Sequence, residues 1–193
     1  GEGKMANDRS NLRDAAVMLG GIAAGVAGSR LLPPLIGQAM GALNVHRGAD
    51  PFQRLIEEHR HILSLLGQME EATPDQMARR TKLFLQLKRT LAKHSMAEED
   101  IVYPLLQGLP DATDQVRRLY NEHVDIKMHL YELEQLLKSR AVWVERVHTL
   151  RGIIESHARD EEQNEFPRLR QNLGKARRSE VASLIRREEA LVL

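Results

Sequence analysis

The chain has no cysteine among its 193 residues. Disulfide frameworks, thiolate zinc sites, cysteine-ligated iron–sulfur clusters and thiol nucleophiles are therefore excluded. Any borderline metal must be held by the eight histidines and by carboxylates. Aromatic residues make up only 4%. β-Branched residues are scarce beside Leu, Ala, Glu, Arg and Gln, so the composition leans to helix. An excess of one charge sign is missing too, since 28 basic and 27 acidic side chains leave a net charge of +1. A protein that held nucleic acid by bulk charge would be more basic, so no nucleic-acid partner is expected. A hydrophobic share of 42% beside 28% charged residues excludes a disordered chain.

Composition divides what is there into three parts. Residues 1–49 are glycine-rich and apolar: Ala15 to Leu43 hold six of the 13 glycines, a single charged residue, Arg30, and the pair Pro33–Pro34. Ala16, Gly20, Ala24 and Gly28 recur every four residues, a face that lets two helix backbones approach closely. Each glycine costs such a helix about 1 kcal/mol against alanine, so it must gain stability from a partner. Homo-oligomerisation through this helical extension is the first expectation. Attachment to or insertion in a membrane surface and a cleaved leader are the alternatives. The apolar run falls short of the roughly 20 residues a spanning helix needs, and Arg30 would be costly to bury. The expected location is cytoplasmic, or cytoplasmic and membrane-associated. Residues 173–193 are basic and predict a short amphipathic helix through Val181, Leu184 and Ile185.

Residues 50–172 carry apolar side chains at helical spacing in four stretches. Phe52 to Met69 predict a first helix, ending near Ala72. Thr73 is the expected N-cap of the second, with Pro74 at its first position. Leu83 to Ile101 carry that second helix, Val116 to Leu137 the third, and Val147 to Phe166 the fourth, with Trp143 anchoring the connection before it. Short turns between long helices predict an all-α, up-down-up-down four-helix bundle.

An internal repeat runs through this bundle. His94-Ser-Met-Ala-Glu98-Glu99 is followed by Tyr103-Pro104, and His157-Ala-Arg-Asp-Glu161-Glu162 by Phe166-Pro167, 63 residues later. Glu58-His59 and Glu122-His123 form a second pair, 64 residues apart. Residues four apart share a helix face, so His94 points with Glu98 and His157 with Glu161. With His59 and His123, four imidazoles and two carboxylates converge inside the bundle. That set suits a pair of first-row metals with bridging carboxylates. Without metal, such a cluster in an apolar interior would cost several kcal/mol. Glu99 and Glu162, about 100° round the helix, are read as outer or interhelical groups. Glu58 and Glu122 either orient a neighbouring histidine or are solvated. His46, His61, His129 and His148 lie off the pattern. Tyr103 and Phe166 are read as core residues that cap the bundle end, with Tyr103 also close enough in sequence to donate a hydrogen bond near the metals.

These motifs resemble the hemerythrin family, in the branch called the HHE cation-binding domain, over about Asp50 to Asn172. The resemblance implies two iron ions in an oxo- or hydroxo-bridged centre. His59, His94, His123 and His157 would supply nitrogen, and Glu98 and Glu161 the bridges. It also implies a small ligand, whether dioxygen, peroxide or nitric oxide, in redox or gas sensing or in detoxification. The alternative is iron handling, as ferroxidase or store, in an assembly built by the N-terminal segment. Oxygen-carrying members have an additional histidine four residues after the one matched by His123, where this chain has Lys127. They also carry an aspartate five residues after the last histidine, where this chain offers Glu161 at four and Glu162 at five. Fewer nitrogen ligands imply a more open metal pair and weigh against simple reversible oxygen carriage.

Overall fold

Helical periodicity becomes helix from Gln53 onward. The computed structural model describes residues 50–137 and 142–192, and no strand occurs among them. Four long helices carry the fold: α1 (Gln53–Glu71), α2 (Met77–Ala97), α4 (Thr113–Leu136) and α5 (Trp143–Asp160). Short helices α3 (Tyr103–Gln107) and α6 (Phe166–Asn172) prolong α2 and α5, and α7 (Lys175–Glu189) closes the described chain. The glycine-rich segment and the oligomer or membrane contacts expected of it, together with His46, lie outside the described residues. No helix among the described residues is long and apolar enough to cross a membrane.

Helix α1 packs on α2 and α5, and α4 packs on α5 and, along a thinner seam, on α2. One apolar layer joins Leu66 and Met69 of α1 to Phe84 and Leu87 of α2, Leu133 of α4 and Trp143 and Leu150 of α5. The other joins Phe52 and Leu55 to Val102, Tyr103, Leu106, Val116, Leu119, Phe166 and Leu169. The starts of α1 and α4 thus meet the far ends of the α2 and α5 rods, so successive long helices alternate in direction. Val181 and Ile185 of α7 are buried in the second layer. A polar layer lies between the two, and it holds the site.

The first layer is pinned by two polar contacts. Trp143 Nε1 donates to the Met69 carbonyl at 3.0 Å. Arg80, itself buried, lies 5.1 Å from the Trp143 ring centre and donates Nε and Nη2 to the Ala72 carbonyl at 3.1 and 3.0 Å. Ala72 caps α1, where a carbonyl has no partner in its own helix, so the guanidinium satisfies a group that burial would otherwise leave unpaired.

One expected boundary is corrected. Helix α2 begins at Met77, after Gln76, rather than at Thr73–Pro74. Thr73 to Gln76 form a turn closed by Gln76 N–H to the Thr73 carbonyl at 3.0 Å. Pro74 sits second in that turn, where its fixed φ is as well suited as at a helix start.

Candidate metal centre

Each half of the repeat departs from α-helix at the same place. Glu98–Val102 and Glu161–Glu165 are π-helical turns within otherwise continuous rods. Tyr103 N–H bonds to the Glu98 carbonyl, and Phe166 N–H to the Glu161 carbonyl, five residues back. Pro104 and Pro167 supply the physical reason. A proline inside an α-helix has no N–H to give, and its ring collides with the carbonyl four residues before it. A widened turn relieves both problems and re-aims the residues within it, as single π turns at functional sites commonly do. Spacing alone missed these turns, and the repeated proline six residues after each glutamate was the signal for them.

The structure brings all six sequence-expected residues together. His59, His94, Glu98, His123, His157 and Glu161 are each no more than 4% exposed. His59 and His94 face each other with ring centres 4.5 Å apart, and His123 and His157 at 4.9 Å. Glu98 reaches both pairs: Oε1 lies 3.1 Å from His94 Nε2, and Oε2 lies 3.3 Å from His123 Nε2. Glu161 Oε2 lies 3.3 Å from His59 Nε2 and 3.5 Å from His157 Nε2. Donor atoms of His59, His94, Glu98 and Glu161 all fall within 4.8 Å of one another, as do those of Glu98, His123 and His157. A first-row ion bonded at roughly 2.0–2.2 Å keeps its ligands no more than about 4.4 Å apart, and the contacts of 3.1 to 3.5 Å between these nitrogens and oxygens lie inside that limit. The residues fit such an ion. Glu98 belongs to both groups.

Every imidazole is held from behind by a carboxylate of another helix. His59 Nδ1 donates to Glu162 at 2.9 Å, His94 to Glu58 at 3.3 Å, His123 to Glu99 at 2.8 Å and His157 to Glu122 at 2.8 Å. A carboxylate can only accept, so Nδ1 carries the hydrogen and the Nε2 lone pair is aimed inward, the arrangement a metal-ligating histidine needs. The lone Glu58 and Glu122 thus orient the histidine of the following helix, and Glu99 and Glu162 orient His123 and His59. Facing inward, His59 Nε2, His94 Nε2, both Glu98 oxygens and Glu161 Oε2 have no hydrogen-bond partner. Buried polar atoms without partners are rare and costly, and five of them gathered in the two donor groups that share Glu98 mark a place for cations.

Electrostatics follow the same geometry. Burial alone would lower His94, but the Glu98, Glu58 and Glu161 carboxylates raise it well above the usual imidazole range. His123 is likewise opposed by burial and lifted by Glu98 and Glu99 to about 9. Burial would raise Glu98, yet His94 and His123 hold it well below the usual carboxylate range. Glu99 and Glu122 are lowered chiefly by their hydrogen bonds to His123 and His157. Among the off-pattern histidines, His61 and His148 are exposed, and His129 is half-buried with Nδ1 3.7 Å from Glu132.

The two halves differ at their aromatics. Phe166 lies parallel to the His59 ring, with centres 6.2 Å apart. Tyr103, at the matching position, puts its hydroxyl 2.9 Å from both Glu161 Oε1, to which it donates, and His123 Nε2. Burial, then the Glu161 and Glu98 charges, push this phenol well above its usual range, so it keeps its proton. Tyr103→Phe should fold, because the repeat itself places phenylalanine at the equivalent site. It should cost about 1–3 kcal/mol by leaving Glu161 Oε1 unpaired. Thermal unfolding of the metal-free protein checks this, and an unchanged Tm would contradict it.

The hemerythrin HHE cation-binding domain matches residues 50–169 as a family model. The chain belongs to that family. It is 27% identical over 116 residues to a DNA nickase of Nostoc sp., covering 60% of this chain and 32% of the nickase. An uncharacterized hemerythrin-like protein of Schizosaccharomyces pombe is 24% identical over 140 residues, 72% of this chain and 68% of that one. The chain therefore spans about a third of the nickase and about two thirds of the yeast protein. No solved structure matches it. As a hemerythrin-family bundle it is a cation-binding domain with buried histidine and glutamate groups that could hold metal. Lys127, where the oxygen carriers have a histidine, reaches outward to Glu99 at 2.6 Å and does not join the cluster.

Proposed function

We propose that the bundle holds two iron ions, with His59, His94, His123 and His157 as nitrogen ligands and Glu98 and Glu161 as bridging carboxylates. The observation that supports this most is the pair of donor groups that share Glu98, each with its nitrogens aimed inward. Iron in that set would supply electron exchange and open positions for dioxygen, peroxide or nitric oxide, and we assign the domain to sensing or detoxifying such ligands. The burial of all six residues favours a small uncharged ligand over traffic of iron ions, which would need a polar route through the bundle. Tyr103 keeps a proton at the inner face of the site, where its hydroxyl can be shared with an incoming oxygen atom. Glu58, Glu99, Glu122 and Glu162 hold the imidazoles in place throughout. Residues 1–49 are assigned to self-association or membrane attachment and 173–193 to a separate basic helix, both from the sequence. Cytoplasmic location is assigned on the same ground.

Elemental analysis of anaerobically purified protein should find about two irons per chain. One metal per chain, or zinc in native material, would overturn the di-iron reading. Anaerobic reduction followed by air, watched in the near ultraviolet, then tests the ligand: a persistent new band supports small-ligand binding. Immediate turnover to ferric iron would favour iron handling instead.

A further inference from the structure

The repeat extends one layer further out than its histidines and glutamates. Arg54 and Arg118 lie 64 residues apart, each four residues before the glutamate that orients a histidine. In the second half the chain of contacts is complete. Asp160 Oδ2 accepts from Arg118 Nη1 at 2.6 Å, the same nitrogen gives 2.9 Å to Glu122 Oε1, and Glu122 Oε2 holds His157 Nδ1 at 2.8 Å. The residue 63 before Asp160 is Ala97, which is buried and offers no acid. The first half therefore has no acid at the position of Asp160, and α7 brings a carboxylate to the matching arginine. Glu189 Oε2 lies 2.5 Å from Arg54 Nε, with its side chain 2% exposed. Arg54 is drawn to it and stands 3.7 Å from Glu58 Oε1, where Lys93 also stands at 3.8 Å. Glu58 holds His94 Nδ1 at 3.3 Å, the longest of the four such contacts.

The geometry points to Glu189 as a positioning residue for the His94 side of the centre: by holding Arg54 it sets how much of the Glu58 charge is left for the His94 imidazole. An imidazole whose N–H faces a full carboxylate is a stronger ligand than one facing a carboxylate neutralised by a guanidinium. Helix α7 is by this inference part of the metal centre, supplying in trans to the repeat what Asp160 supplies within it. The inference rests on the ligand assignment above only where it concerns the metal; the Glu189–Arg54–Glu58–His94 chain stands without it.

The test uses the full-length chain carrying Glu189→Gln or Asp160→Asn, read by the nitrogen and proton resonances of the imidazole Nδ1–H groups. In metal-free protein Glu189→Gln should shift the His94 signal and leave that of His157 in place, while Asp160→Asn should do the reverse. Glu189→Asp should restore part of the shift. In cobalt(II)-loaded protein the same selectivity should appear among the metal-shifted N–H signals. Movement of all four imidazoles together, or of none, would overturn the proposal, and so would a His94 shift that Glu189→Asp fails to restore, since α7 packs on α2 and only recovery by a second carboxylate separates the ionic contact from that packing. Selective shifts without metal, joined to a failure of cobalt to bind, would leave the positioning intact and sink the metal assignment.

Discussion

Glu98→Ala should strip the centre of metal more completely than any other single change. Its two oxygens face His94 and His123 from opposite sides, and it is common to both donor groups. Losing it removes an anionic donor from both donor groups at once and leaves His94 Nε2 and His123 Nε2 without the carboxylate that faces them. The loss of affinity should exceed the 10–100-fold that follows when a carboxylate behind a histidine is removed, which is the effect expected for Glu99→Ala or Glu122→Ala. Glu161→Ala should fall between, since Glu98 still joins His123 and His157. His61→Ala, on the exposed face of α1, is the control and should keep full metal content. Elemental analysis of the series with chelator competition ranks them. Equal loss in all of them would show that the inner cluster is not the metal site.

Metal uptake should also be strongly linked to protons. Without metal, His94 stands well above the ordinary imidazole range, His123 is raised to about 9 and His157 is raised, each lifted by carboxylates against the opposing effect of burial. Ligation needs the bare Nε2, so each such proton must leave as metal binds. Affinity should therefore rise with pH by about tenfold per unit for each proton displaced, for His123 throughout the range below about 9, and level off above it. The metal-free fold moves the other way. A histidine raised on folding contributes stability that is fully present below 6.5 and is lost as pH rises through about 9. Chelator competition at the two ends of this window, with proton release followed in weak buffer, measures the first effect. Thermal unfolding of the metal-free protein measures the second. A pH-independent affinity would mean that the imidazoles are not the ligands.

Much of this centre was legible before any fold was known. The i, i+4 spacing of His94 with Glu98 and of His157 with Glu161 puts each pair on one helix face wherever the helix lies. Repetition of that pair with Glu58-His59 and Glu122-His123 implied that four helices present ligands at one level, and the six residues do meet there. The start of α2 was misplaced because Pro74 serves a turn as readily as a helix start.

Composition, periodicity and the repeat determined the helical class, the four long helices and the identity of the inner six residues, because each is a property of spacing along one helix. Partnership between helices was another matter. Only the packed bundle decided that Glu162 backs His59 while Glu58 backs His94, and that the Tyr103 hydroxyl reaches Glu161. Those contacts depend on how far each helix is rotated and slid against its neighbours, and apolar contacts spread over whole helix faces set that rotation. The reach of Glu189 from α7 to Arg54 is the extreme case: the two residues are far apart in the chain and share no spacing rule, and the fold alone makes them neighbours.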